Sequence, residues 1–516
     1  MHLAGLDIGT TGCKSVIFDQ EGRILASASR EYAVDIPHPM WAEQDGELVW
    51  RLAQEALRET ISAVGPEGIG AIGLSVQGEA IMPIDDAGEA LRPAILGMDT
   101  RVGEQNDWLR ARFGGEQLFS RTGMPVHPVN TLPKLLWLKE YEPRIWERAS
   151  RFLLYEDFLI HKMTGEAVIS RCLASRTQLY DILDDRWSTE ILEALDLDEG
   201  RLAKVVPSGY AAGPMHADLA KSLGLSKPPL VVTGGHDQAC GALGVGLTRP
   251  GLAMVSTGTA EVVEVALPEP ALNDTLYKGN ISVYAHVVPG LYLAMALNHS
   301  GGLLLRWFRD TLCQEEIGQA QESGADAYGL ILAEASPNPT DLLLLPHFAG
   351  SGTPTVDTAS KGAILGLTFA TTKAELAKAV LEGLTYELRV NLDLLRDGGV
   401  DIGELRAIGG GARSDLWLQL KADITALPVV RPRVTEAACW GAALLAGVGA
   451  GIYPSAAQAS EQMLHLERRF EPDPERQVQY EEHFALHREV YPAVVSIHHR
   501  LHQRAGGQRD GGHKDG

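Results

Sequence analysis

Positive charge is what this sequence lacks most. Lys and Arg number 45 against 67 Asp and Glu, a formal net charge of −22 over 516 residues. Nucleic acids and anionic membranes both need a positive face, so neither is expected as a partner. A small phosphate-bearing ligand is not excluded, because a local nest of backbone amides holds phosphate on an acidic chain. Cysteine is scarce as well. Cys13, Cys172, Cys240, Cys313 and Cys439 are odd in number, scattered and without a C-x-x-C pair, which predicts reduced thiols and a cytoplasmic setting. No basic, apolar leader precedes Asp7, so a signal peptide is not expected. The apolar stretch 437–453 is mostly Ala and Gly, too weakly hydrophobic to insert in a bilayer, and is expected as a tightly packed buried helix. No G-x-x-x-x-G-K-[ST] occurs, which removes a P-loop site. The run Gly68-Ile69-Gly70-Ala71-Ile72-Gly73 has the letters of a dinucleotide fingerprint. Its glycines follow a helix and enter a strand, the reverse of what that turn requires.

The length exceeds what one hydrophobic core usually supports, so two domains are expected. Hydrophobic content of 45% and charged content of 22% are ordinary for a globular chain. In the N-terminal half, strands alternate with helices. Periodicity predicts helices over 45–64, 131–141 and 152–164 and strands over 69–76 and 228–233. The break Gly246-Leu247-Thr248-Arg249-Pro250-Gly251 marks a domain boundary. Strands are expected beyond it at 252–257, 262–266 and 281–288, with helices starting near Gly302, Lys373 and Glu436. The Gly-rich polar tail 505–516 is expected to be disordered.

The opening segment Leu6-Asp7-Ile8-Gly9-Thr10-Thr11-Gly12-Cys13-Lys14 carries the clearest chemical signal. It reads as two apolar strands joined by a Gly/Thr turn. Such a turn offers amides and hydroxyls to a phosphate chain, and Asp7, where the first strand ends, offers a carboxylate to hydrated magnesium. Alone it equally describes an ordinary hairpin. A second turn of the same kind, Ser256-Thr257-Gly258-Thr259, suggests a nucleotide clamped between two related halves. Gly409-Gly410-Gly411-Ala412-Arg413-Ser414-Asp415 follows a strand-like stretch and opens a helix, a place where a flat base can approach the backbone. Val232-Thr233-Gly234-Gly235-His236-Asp237 puts a carboxylate at a helix start. There the helix dipole favours its ionised form, so Asp237 is a candidate proton acceptor as well as an N-cap. Adjacent turn residues usually point apart, which sets His236 aside as the base.

In this order, these pieces resemble the FGGY family of carbohydrate kinases, over about residues 3 to 455. Asp7 to Lys14 resembles that family's first phosphate motif, and Pro39-Met40-Trp41-Ala42-Glu43-Gln44-Asp45 its early segment. Thr131 to Glu140 nearly meets one family signature, with Val129 and Tyr141 departing at its flanks. Gly362-Ala363-Ile364-Leu365-Gly366-Leu367, Glu375-Leu376 and Ala379-Val380-Leu381-Glu382-Gly383 meet the other. The resemblance implies an α/β fold of two actin-like (ribonuclease H-like) domains with a nucleotide cleft between them. It places the sugar and the base in domain 1–247 and the nucleotide in domain 248–455, followed by a helical extension over 456–504. It implies ATP and Mg²⁺ as cofactors, Asp237 as the catalytic base and Asp7 as the carboxylate acting on magnesium through water. Thr10, Thr11, Gly12 and Lys14 would make the first phosphate contacts and Thr259 the second. Gly302, Arg306, Gly411, Ala412 and Asp415 would line the nucleotide, although Arg306 and Asp415 are not the residues a glycerol kinase carries.

The sugar is less fixed. The sugar-facing positions fall at Gln77, Gly78, Glu79, Asp99 and Arg101, beside Asp237. The pair Gly78-Glu79 matches neither the Arg-Glu of glycerol kinases nor the Met-His of xylulokinases. Gly78 is expected to leave room, and Glu79 to accept from hydroxyls. Arg101 is the cation available to a sugar acid. A neutral ketopentose, with D-xylulose as representative, is the expected substrate. Gluconate, another polyol and a signalling metabolite are the alternatives, and a non-catalytic actin-like ATP-binding protein is the alternative of another class. Homodimers are frequent in the family.

Overall fold

The computed structural model describes residues 1–67 and 69–510. Gly68 and residues 511–516 of the expected tail lie outside them. The last helix, Pro474–Asp510, enters the stretch expected to be that tail.

Two sheets organise the chain, and their cores repeat one plan. In the first, His2–Ile8 runs antiparallel to Gly12–Phe18, which pairs with Ile24–Glu31. On its other side His2–Ile8 runs parallel to Ile69–Val76, which in turn is parallel to Leu230–His236. In the second, Gly251–Thr257 pairs antiparallel with Glu261–Leu267 and that strand with Tyr292–Asn298. Gly251–Thr257 is then parallel to Ile402–Gly409, and that strand to Val429–Pro432. Each Gly/Thr turn therefore closes the same hairpin of a repeated unit, the duplication hinted at by the two similar turns. The inner parallel strands are buried along nearly their whole length, as strands covered on both faces must be.

The expected helices form with local reasons for their ends. Asp45 caps Gly46–Val64 by accepting from the amides of Glu47 and Leu48. Thr372 and Glu375 form a capping box at the start of Lys373–Asp397. The helix expected over 152–164 is split. Arg151–Leu153 pairs with Met82–Ile84 as a short strand, and the helix Tyr155–Thr164 begins after Leu154, whose amide donates to Asp157 at 2.9 Å. The segment expected as a helical extension contains a strand, Leu466–Phe470, that pairs with Val429–Pro432 and extends the second sheet.

The helix Ala437–Gly449 belongs by sequence to the second unit, yet it packs on strands His2–Ile8 and Ile69–Val76 of the first sheet and on the helix Asp237–Gly244. Its Ala/Gly composition explains why. A Cβ at Gly5 would run into the Cys439 carbonyl, and one at Gly73 into that of Ala442. One at Gly244 would strike the Ala437 carbonyl, and one at Gly441 that of Cys240. Backbones thus touch where side chains normally intervene, and Leu3, Ala71, Leu243, Ala443 and Leu445 fill the surrounding core. Among the described residues no helix is long and apolar enough to cross a membrane. All five cysteines are buried and free.

Gly73→Ala should therefore lower stability by about 1–3 kcal/mol, because overpacking forces the helix off the sheet. Gly103→Ala, with nothing near the added methyl, serves as the neutral control, and Tm comparison checks both.

Candidate active site

The first unit's site lies at one edge of its sheet, where Ile8, Val76 and His236 end their parallel strands in register. The Gly9–Gly12 turn is closed by a Gly9 amide to Gly12 carbonyl bond of 2.9 Å. Tyr32 Oη donates to the Gly9 carbonyl at 2.8 Å and Gln44 Nε2 to that of Thr10 at 2.8 Å. Gln77 braces the same turn: its Nε2 donates to the Gly9 carbonyl at 3.3 Å and to Gln44 Oε1 at 2.9 Å. Its Oε1 accepts from Thr10 Oγ1 at 3.4 Å. The side chain expected to face the sugar is thus engaged under the phosphate turn. Thr11 is exposed, and Lys14 Nζ reaches Glu436 of the second unit at 2.9 Å. Asp7 accepts from Ser75 Oγ at 2.6 Å. Burial pushes its carboxyl up to about 6 in spite of that bond and of Lys14.

Asp237 stands at the first position of its helix, directly after the strand Leu230–His236. A register shift between Val232 and Gly235 sets the strand's exit. Glu156 anchors it by accepting from the amides of Gly234 at 2.8 Å and Ser170 at 2.7 Å. Asp237 Oδ1 accepts from the Gln238 amide at 2.6 Å and, among the described residues, has no Lys or Arg partner. Burial, then the charges of Asp7, Glu264 and Glu79, push its carboxyl up to about 8. Its side chain is still 29% exposed.

His236 does not point away from its neighbour. Its Nε2 lies 3.2 Å from Asp237 Oδ1, and burial, with Arg176 close by, holds the imidazole well below its usual range and hence neutral. The ring also fills the space beside Gly78, where a Cβ would come 3.0 Å from His236 Cδ2. Gly78 therefore makes room for histidine rather than for sugar.

Glu79, held at a φ of 60°, is buried and paired with Arg176, whose Nε donates to Oε1 at 2.6 Å. Asp99 and Arg101 form a buried pair at 2.7 Å. Arg101 also meets Glu43 at 2.7 Å and lies over the rings of Trp41 and Trp137, 3.8 and 4.7 Å from their centres. Asp99 accepts from the Ala42 amide at 2.6 Å. These two residues tie loops together, and Arg101 is not a cation free to meet a sugar acid.

In the second unit, Thr259, Gly302, Gly411 and Ala412 gather round the end of Gly251–Thr257. Gly302 donates its amide to the Gly258 carbonyl at 2.7 Å, and Thr259 is exposed in the turn. Gly411 packs on Thr257, where a Cβ would come 2.8 Å from its side chain. The φ of 81° at Gly409 turns the chain into the short helix Gly410–Arg413. Arg306 is exposed one turn along the helix Gly302–Leu312. Asp415 departs from its expected role: it pairs with Arg431 at 2.8 Å and with Arg468, so its carboxylate holds the sheet's edge.

Sequence reasoning missed Arg176, Glu261, Glu264, Tyr284 and Lys421. Lys421 and Glu261 form a fully buried pair beneath the second turn. Tyr284 donates to Glu264 and lies 3.3 Å from His236 Nδ1, which brings the second unit against the candidate base. The one available signal was two carboxylates inside the apolar strand Glu-Val-Val-Glu-Val-Ala-Leu, since buried charge demands a partner. Nothing local marks Arg176 or Tyr284.

The site thus offers two amide-rich turns and a carboxylate with no Lys or Arg partner, the parts of an in-line phosphoryl transfer. Family models for the N-terminal and C-terminal domains of the FGGY carbohydrate kinases match residues 2–244 and 253–450. The xylulose kinase of Staphylococcus epidermidis is 31% identical over 495 residues, covering 96% of this chain and 97% of its own. A xylulose kinase structure from Rhodospirillum rubrum superposes with a TM-score of 0.86 at 26% identity, covering 97% of this chain and all of that one. A gluconate kinase from Lactobacillus acidophilus shares the fold, with a TM-score of 0.88 at 24% identity over 97% of this chain and 99% of that one. With both domain models matched and the two-domain actin-like fold present, the chain belongs to the FGGY family of carbohydrate kinases.

Proposed function

We propose that this kinase transfers the γ-phosphoryl group of MgATP to a hydroxyl of a small neutral sugar, a ketopentose such as D-xylulose, with Asp237 as the base. The observation that carries this reading is the Asp237 carboxylate, partly exposed and, among the described residues, without a Lys or Arg partner, at the sheet edge that also bears the first phosphate turn. Asp237 takes the proton of the sugar hydroxyl as its oxygen attacks phosphorus. The amides of the Gly9–Gly12 and Gly258–Ala260 turns, with Thr10, Thr11 and Thr259, hold phosphate oxygens. Lys14 exchanges Glu436 for phosphate, and Gly302, Gly411 and Ala412 flank the base of the nucleotide.

Magnesium fits this donor set. Burial raises both the Asp7 and the Asp237 carboxyl, and the charge of Asp7 raises Asp237 further. Among the described residues no group of three or more His, Cys, Asp or Glu could cage a metal. An ion held by one carboxylate through water and otherwise by phosphates is the pattern magnesium takes. Bound there, it would offset the charge of the phosphates; Asp7 would orient its water.

Arg101 and Arg176, beside the expected sugar positions, both pair with buried carboxylates, which favours a neutral sugar over gluconate. The names of the relatives agree with that choice. Assay of ADP release with D-xylulose, D-gluconate, glycerol and a range of ketoses tests it: highest kcat/KM on a neutral ketose is expected, and highest kcat/KM on gluconate would overturn it.

Asp237→Asn should bind MgATP nearly as the parent does and lose kcat by about 10²–10⁴-fold; retention of normal turnover removes Asp237 from the chemistry. The same variant should be more stable without ligands. A carboxyl at about 8 in the folded protein and near its usual value when unfolded holds extra protons in the fold. The parent's stability therefore falls as pH rises from about 4 to 8. The Tm gain of Asp237→Asn should be absent at pH 4, grow through that window and level off above it.

A further inference from the structure

Four polar side chains follow one another from the base into the second domain, the first two in close contact and the others hydrogen-bonded. Asp237 Oδ1 lies 3.2 Å from His236 Nε2, and His236 Nδ1 lies 3.3 Å from Tyr284 Oη, which donates to Glu264 Oε1. Asp237 and His236 belong to the strand end and helix start of the first unit. Tyr284 and Glu264 stand on the strands Ser282–Ala285 and Glu261–Leu267 of the second. His236, Tyr284 and Glu264 are all buried, and Glu264 Oε2 has no hydrogen-bond partner. Resting on the reading of Asp237 as base, we propose that His236, Tyr284 and Glu264 are positioning residues that orient Asp237 and share one proton with it across the domain seam.

The proton count follows from what each group carries. A neutral imidazole has one N–H and a phenol one O–H. In one setting Glu264 is protonated and donates to Tyr284 Oη, Tyr284 donates to His236 Nδ1, and His236 Nε2–H lies beside an ionised Asp237, which a small turn of the ring brings into line. In the other Asp237 is protonated and donates to His236 Nε2, His236 Nδ1–H donates to Tyr284, and Tyr284 donates to an ionised Glu264. Passing from the second to the first breaks the Asp237 O–H bond and forms Nε2–H, breaks Nδ1–H and forms Oη–H, and breaks the old Oη–H and forms O–H on Glu264. Net charge is unchanged and the base is regenerated. If both carboxyls were ionised, Nδ1 and Oη would face each other with no hydrogen between them, so the chain favours one shared proton.

The surroundings fit that exchange. Burial pushes Glu264 up to about 7 and Asp237 up to about 8, so neither end holds the proton decisively. Buried His236 stays neutral and passes a proton rather than storing one. Asp7 and Glu79 face Asp237, while Arg176, itself paired with Glu79, faces His236, Tyr284 and Glu264. The Cys172 thiol beside Tyr284 is pushed up by burial and remains protonated. Gly78 completes the arrangement, because a side chain there would claim the volume the imidazole fills.

The test is the pH dependence of kcat and kcat/KM for the full chain with MgATP and the best sugar of the panel above. Tyr284→Phe cuts the line and should lower kcat about tenfold with the KM for MgATP unchanged. Glu264→Gln supplies an amide that donates to Tyr284 as a protonated carboxyl would. It should lower kcat less than Tyr284→Phe does, leave the KM for MgATP unchanged and move the acid limb of kcat/KM about one pH unit lower. Parent-like kcat and limb positions in both variants overturn the relay. So does a fall in activity that tracks only Tm or nucleotide affinity with the limb unmoved. An inactive Asp237→Asn beside two parent-like relay variants removes the relay and keeps the base; an active Asp237→Asn removes the base itself.

Discussion

The closeness of two backbones decides where everything else in this protein stands. The helix Ala437–Gly449 leaves the second sheet and lies against the first, with Gly5 and Gly73 admitting its carbonyls and Gly441 and Gly244 admitting contact with the helix Asp237–Gly244. Side chains at any of these points would hold the units apart by the width of a methyl group or more. The second of these helices begins at Asp237. Its partner is preceded by Glu436, the residue paired with Lys14. The seam that joins the units is therefore continuous with the residues proposed to do the chemistry. A kinase that must exclude water while admitting a nucleotide needs such a joint, tight along one line and free on either side of it.

Across that joint the protein concentrates negative charge. The charges of Asp7, Glu79 and Glu264 all act on Asp237, and Arg176, paired with Glu79, is a cation buried beside them. Three of these carboxyls, Asp7, Asp237 and Glu264, are pushed well up, a cost the fold carries in the absence of ligands. Under the proposed function, phosphate arriving with a metal would bring the carboxylates positive charge and leave Asp237 as the acceptor for a hydroxyl proton. Structural charges, by contrast, are neutralised locally: Arg101 with Asp99 and Glu43, Lys421 with Glu261, and Asp415 with Arg431 and Arg468.

Much of the fold was legible because its signals are local. Asp45 announces a helix start, the Gly/Thr turns announce hairpins, and the weak hydropathy of 437–449 announces a buried helix. The duplication could be suspected from the second turn alone. The position of Asp237 was legible because a strand, two glycines and a helix start fix it. What sequence could not supply was the use made of each side chain by distant partners. Gln77 and Asp99 face inward to brace loops, Asp415 answers two arginines, and Gly78 gives its space to His236, each through residues dozens of positions away. The relation of His236 to Asp237 was misjudged because a rule about alternating side chains fails where a strand passes into a helix. Arg176 and Tyr284 carry no pattern of their own, and only the fold brings them to the base.

The central claim is that a sugar hydroxyl and the terminal phosphate of ATP meet at Asp237. The most direct measurement is a crystal structure of the full chain with a non-hydrolysable ATP analogue, magnesium and the preferred sugar. The account predicts an Asp237 carboxylate oxygen within about 2.6–3.2 Å of one sugar hydroxyl, with that hydroxyl facing the γ-phosphate. A sugar seated elsewhere, with Asp237 touching neither substrate, would contradict it.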